Sequence, residues 1–332
     1  MIRTFQRVLH AGMDGAMCAL MNFSQWRLRH HAVTRERLEE YLRECESRDA
    51  RSHYATPEEN RSLPTPDWRF EGNALSWHSP LRDEHPENHT ARAVYFKSDI
   101  PGNRPTLVLL HALMSASDFG YRRIARRFTA RGWNVLFPHL PYHYSRTPRG
   151  HANGSLTITS DLVRNAETLR QAVIEVRQLL DWARVNGSPR TALLGTSYGG
   201  WVASLVLGLE SVDFAVLLQP VADVPHATFG SPASTVMSGL LKKNGIHPND
   251  LSRHAHLSSP LHLAPLTPPE RLTVIAGTHD RLSTPESLRS LCARWGGARY
   301  LEVEQGHFGY RAMRRGLGEA ELFLDNAAVT TR

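Results

Sequence analysis

The apolar positions of this chain follow two regimes that meet near residue 92. In the first, Ile2, Phe5, Leu9, Met13, Met17 and Leu20 recur at helical spacing and predict an amphipathic helix over residues 2–22, with arginine on its polar side. A second helix is predicted over 34–49. The chain then turns polar, and Pro57, Pro64, Pro66, Pro80 and Pro86 leave only weak strand alternation. From Ala93 the rhythm becomes strand, helix, strand, the pattern of an α/β fold with a doubly wound, mostly parallel sheet. Short β-rich runs fall at 93–97, 106–110, 134–137, 191–194, 214–218, 272–276 and 299–303. Helical periods fall between them at 121–130, 160–184, 200–209, 285–295 and 311–324. Several of the strands are unbroken apolar runs, as expected of strands covered on both faces.

Between 221 and 265 the rhythm breaks into Gly, Pro, Ser and His around one helical piece, Thr235 to Lys243. This predicts an insertion over the edge of the sheet, a candidate lid. The expected organisation is therefore an N-terminal helical and irregular appendage over 1–92 and an α/β domain over 93–332 that carries the insertion.

Composition adds exclusions. With 332 residues, 41% hydrophobic and 21% charged, the chain can bury a full core as a globular protein. The net charge of +7 favours acidic partners or simply a basic surface. The arginines form no dense runs and no nucleic-acid-binding signature occurs, which argues against nucleic acid. Cys18, Cys45 and Cys292 are odd in number and widely spaced, so they form no disulfide framework or CxxC pair, and a reducing cytoplasm is the expected compartment. Val8 to Phe23 follows Arg3 and Arg7 as a signal-peptide core would. His10 and Asp14 interrupt it, no small-x-small cleavage site follows, and it is too short and polar to span a bilayer. Two readings of this helix remain open: docking on its own domain, or peripheral contact with a membrane.

Gly195-Thr196-Ser197-Tyr198-Gly199 is a GxSxG sequence lying where a predicted strand ends and a predicted helix begins. A serine on that sharp strand-turn-helix is pushed out at the carboxyl end of the sheet, and side chains at 195 and 199 would collide with the turn. Its hydroxyl is a weak nucleophile until a base takes its proton, so a histidine and an acid are required downstream. His307, in Gly306-His307-Phe308-Gly309 after the last strand, is the expected base. Asp280, in Gly277-Thr278-His279-Asp280 after the penultimate strand, is the expected acid, and Asp223 is its rival. Oxyanion donors are expected from the N–H of Tyr198 and from an early loop, Leu113 or Met114, where His111-Ala112 stands in place of His-Gly. His111, His143 and Arg146 sit at the same sheet end and are expected to line a substrate pocket. His247, His254, His256 and His262 invite a metal reading, but carboxylate partners are sparse and no HExxH occurs, so no metal is expected.

Taken together, His111 to Met114, Gly195 to Gly199, Asp280 and Gly306-His307 resemble the α/β-hydrolase superfamily over roughly residues 93–324. Gln305-Gly306-His307 leading into Arg315-Gly316-Leu317, and Asp280 with Thr284 to Leu291, are similar to the α/β-hydrolase domain eighteen group. The resemblance implies a serine hydrolase of carboxylic or lipid esters that uses no cofactor. Alternatives stay open: a thioesterase, peptidase or acyltransferase using the same three residues, or a hydrolase fold kept as a non-catalytic binding module.

Overall fold

The computed structural model describes residues 2–63 and 65–329, and the side chains of 12–63 and 65–324. Helices α1 (Ile2–Arg27), α2 (Arg35–Glu46) and α3 (Ala50–His53) open the chain. A hairpin of β1 (Arg69–Glu71) and β2 (Ala74–His78) then leads into β3 (Thr90–Phe96). The alternating part follows: β4 (Thr106–Leu110), α4 (Phe119–Thr129), β5 (Asn134–His139), α5 (Leu162–Val185), β6 (Thr191–Thr196), α6 (Tyr198–Leu207) and β7 (Phe214–Leu218). After α7 (Thr235–Lys243), α8 (Pro248–Ser252) and α9 (Ala255–Ser258), the chain ends with β8 (Leu272–Gly277), α10 (Pro285–Arg294), β9 (Arg299–Val303) and α11 (Arg311–Val329).

The nine strands form one sheet in the order β1-β2-β3-β5-β4-β6-β7-β8-β9. From β5 to β9 every neighbouring pair is parallel, and β1, β2 and β3 join antiparallel to one another and to β5. Side chains alternate between two cores, as the pleat requires. In β6, Leu193 enters the core under α5, α6 and α10, while Ala192 and Leu194 enter the core under α4 and α11. This is the α/β-hydrolase fold. The chain runs from β4 to β5 on one side and on to β6 on the other, so the winding reverses at β4. A crevice opens there at the carboxyl ends of the strands, which is where such sheets bind ligands.

The first ninety residues are built into this body. Gly72 (φ 62°) and Asn73 form a two-residue hairpin loop between β1 and β2. Leu75, Trp77 and Tyr54 enter the core beneath α5, and the Trp77 indole donates to Gln178 at 2.9 Å. The segment that the sequence sets apart as an appendage thus extends the sheet and fills its edge. Alternation here is weak because β1 is exposed along its length and β2 buries only two side chains. α1 lies on the inserted segment, where Asn22 donates to Pro232 O and accepts from Val236 N, both at 2.8 Å. Among the described residues no helix is long and apolar enough to cross a membrane.

Candidate active site

Ser197 stands alone between β6 and α6 with φ 52° and ψ −112°, a conformation that costs a non-glycine residue on the order of 1–3 kcal/mol and persists only where its surroundings enforce it. They do so here by close backbone approach. A Cβ on Gly195 would lie 2.5 Å from Gly199 O, and one on Gly199 would lie 2.5 Å from His111 O. The Ser197 N–H is held by Leu218 O at 2.8 Å, which ties the turn to the neighbouring strand.

Two distant loops meet this serine. The Ser197 hydroxyl lies 2.8 Å from His307 Nε2, and His307 Nδ1 lies 2.7 Å from Asp280 Oδ2. Asp280 is buried, and its Oδ1 accepts the N–H groups of Leu282 (2.8 Å) and Ser283 (2.9 Å), so the carboxylate is fixed before it meets the imidazole. Burial alone pulls the His307 pKa down; the Asp280 and Asp14 carboxylates outweigh it and leave the pKa raised. Asp223 lies elsewhere and accepts the N–H of His226 at 2.9 Å, which starts the first turn of the insertion.

Of the expected early-loop donors, Met114 (φ 52°) has its N–H engaged by His143 Nε2 at 3.2 Å, so Met114 is corrected to a strut of the loop. The Leu113 N–H has no partner among the described residues, and the Tyr198 N–H, first in α6, has no carbonyl within its own helix. His111, His143 and Arg146 are also corrected. All three are fully buried below the cavity and do not line it. His111 Nε2 accepts the Leu140 N–H at 3.1 Å, and desolvation holds both imidazoles neutral, His143 at about 4. Arg146 is clamped by Glu175 at 2.5 and 2.9 Å and by Asn88 O at 2.8 Å.

The serine and histidine open into a cavity of about 660 Å³ walled mainly by apolar side chains. Met13, Met17 and Met21 come from α1, Leu38 and Leu42 from α2, and Val221, Val224 and Met237 from the inserted segment. Among the described residues no group of three His, Cys, Asp or Glu is placed to hold a metal ion.

Two site residues escape the sequence reading. Gln219 (φ 48°), directly after β7, donates from Nε2 to Asp280 Oδ2 (2.5 Å) and Gly306 O (2.8 Å), while its Oε1 accepts from Gln305 at 2.7 Å. Its place at a strand's carboxyl end, before Pro220, is the available signal. Asp14 accepts the N–H groups of His307 and Phe308 at 2.9 and 3.0 Å. Its signal is its isolation, an acid within the otherwise uncharged stretch from Ala11 to Phe23.

A sequence profile of the family described as alpha/beta hydrolase domain containing 18 matches residues 79–249, just over half of the chain. The chain belongs to this family. No curated protein sequence matches it. Solved structures carry the hydrolase fold at low identity. Acetyl xylan esterase 1 from Thermoanaerobacterium superposes with a TM-score of 0.56 and 15% identity, covering 90% of this chain and 98% of that one. The Pyrococcus horikoshii acylaminoacyl peptidase gives 0.54 and 14%, covering 80% of this hydrolase-family chain, which in turn spans only 42% of the peptidase. Est1E from Butyrivibrio proteoclasticus, with ferulic acid bound, gives 0.50 and 11%, covering 72% and 96%.

Proposed function

We propose that this family member is a serine hydrolase that cleaves carboxylic esters with a large apolar acyl group. The observation that carries the reading is the continuous Ser197, His307, Asp280 hydrogen-bond chain, at 2.8 and 2.7 Å, opening into an apolar cavity. As Ser197 Oγ attacks the ester carbonyl, His307 Nε2 takes its proton, and Asp280 holds the imidazole tautomer and stabilises the imidazolium. The N–H groups of Tyr198 and Leu113 meet the oxyanion. His307 then passes the proton to the departing alcohol, leaving an acyl-enzyme, and repeats the cycle with water to release the acid. Fixed donors cost no reorganisation during the reaction, and losing one of them slows such enzymes by about 10²–10³-fold.

The apolar walls favour lipid esters over small polar ones. The neighbours, an acetyl xylan esterase and an acylaminoacyl peptidase, support acyl transfer as the reaction class. The outward side of α1 supports peripheral membrane contact, and three free cysteines support a reducing cytoplasm. A fluorophosphonate probe is expected to label the pure protein at Ser197. The Ser197→Ala variant should not label and should lose ester turnover on the order of 10⁶-fold. Rates on aryl esters should rise with acyl length. An unlabelled, inactive wild type would leave a binding module instead, and faster turnover of amides than of matched esters would reassign the leaving group.

A further inference from the structure

α1 reaches the reaction centre through one side chain. Asp14 Oδ2 accepts the His307 N–H at 2.9 Å and Asp14 Oδ1 accepts the Phe308 N–H at 3.0 Å, so both oxygens of a carboxylate hold two successive residues of the histidine loop. Hydrogen bonds to an ionised acceptor are stronger than those between neutral groups. The fit leaves no room for a side chain before the histidine: a Cβ on Gly306 would lie 1.9 Å from Asp14 Oδ2, and its three nearest atoms all belong to Asp14. From the opposite side Gln219 holds Gly306 O at 2.8 Å. The loop is therefore pinned between the sheet and the N-terminal helix, and that helix also walls the cavity with Met13, Met17 and Met21.

We propose that Asp14 is a positioning residue of the active site: by holding the His307 backbone it keeps the imidazole in line with Ser197, so that the N-terminal helix completes the catalytic centre. This inference rests on the serine-hydrolase reading above. The charges acting on the imidazole are Asp280 on the loop after β8 and Asp14 on α1, and the Cys18 thiol of α1 senses the same two carboxylates together with Arg281. Burial, then the Asp14 carboxylate, pushes the Cys18 thiol pKa up; Arg281 opposes this, and Asp280 adds a smaller push in the same direction. Asp14 is thus the negative charge that α1 brings to His307, and it favours the imidazolium.

Asp14→Asn keeps the volume and removes the charge. It should lower kcat by about 10- to 100-fold, the scale of a misplaced catalytic group, with little change in KM for a short ester. The acid limb of kcat/KM should move to lower pH, because His307 loses a charge that favours its protonated form. Asp14→Ser, whose hydroxyl cannot span both N–H groups, gives a second reading should the amide disturb folding. Gly306→Ala should slow wild type more than it slows an Asp14→Ala background, where the carboxylate is gone. Folding is followed by Tm. A variant that loses Tm while the limb stays put and Gly306→Ala acts equally in both backgrounds would make Asp14 a structural tie and overturn the proposal. A wild type without labelling or turnover would instead fail the hydrolase reading.

Discussion

Arg146 shows how a charged side chain at the carboxyl end of a sheet can belong to the scaffold. Its guanidinium meets Glu175 of α5 in a two-pronged contact and also donates to Asn88 O and His139 O, with no exposed surface. The loop from β5 is thereby tied to the helix beneath it and to the segment before β3. Breaking a buried pair strands a charge away from water, which costs about 3–5 kcal/mol. Arg146→Met should accordingly lower the unfolding free energy by that amount, with KM unchanged in the folded fraction. A stable variant with a raised KM would return Arg146 to the substrate pocket. Position along the chain puts Ser197, Asp280 and His307 at strand ends, and the same rule selects His111, His143 and Arg146, because a strand-end position says nothing of whether a side chain turns toward the crevice or beneath it. Gln219 and Asp14 stay hidden for another reason: an amide or an acid acting on another residue's backbone carries no spacing rule.

α1 has two different faces. Cys18 and Gln25 are buried against the body, while Leu20, Phe23 and Trp26 remain 51–54% exposed. This exposed side is apolar over about two turns and is followed by Arg27, the last residue of α1, and Arg29 just beyond it, whose guanidinium lies 4.3 Å from the Trp26 ring. A helix with this arrangement suits the boundary of a membrane carrying anionic lipids, with apolar side chains inserted and arginines at the headgroups. Sedimentation with vesicles should show binding that increases with phosphatidylglycerol content and weakens with salt. Leu20→Glu with Phe23→Glu should reduce binding at least about tenfold, since burying each apolar side chain contributes roughly 1.5–3 kcal/mol. Equal partitioning of the double variant and the wild type would remove the membrane from the picture. Periodicity alone reveals that α1 is amphipathic; it cannot say that the polar stripe grips the catalytic loop through Asp14.

Across the whole molecule, the parallel half of the sheet is legible because its strands are uninterrupted apolar runs separated by helical periods, whereas β1, exposed along its length, and β2, with two buried side chains, carry too little alternation to read as strands. The same thorough burial sets the pH range the fold can bear. His53, His111, His143 and His254 are all buried. Desolvation is the main cause that holds each pKa low, at about 2 for His53, about 4 for His143 and His254, and well below the usual value for His111. Once exposed by unfolding they return to about 6.5. Between these limits the unfolded chain binds more protons, so stability is present above about pH 6.5 and is lost as the pH falls toward 4. His307 has the opposite sign, its raised pKa adding stability that is lost only as the pH rises through it, so near pH 5 it is protonated in both states and does not offset the loss. Four protons taken up on unfolding correspond to roughly 5 kcal/mol per pH unit, against a total of about 5–15 kcal/mol for a typical domain. Tm should therefore fall steeply between pH 6.5 and 5, before most carboxylates titrate, and each of His53→Phe and His254→Phe that folds should flatten the slope by about one proton. A Tm within a few degrees of its neutral value at pH 5 would mean that these imidazoles reach water in the native protein.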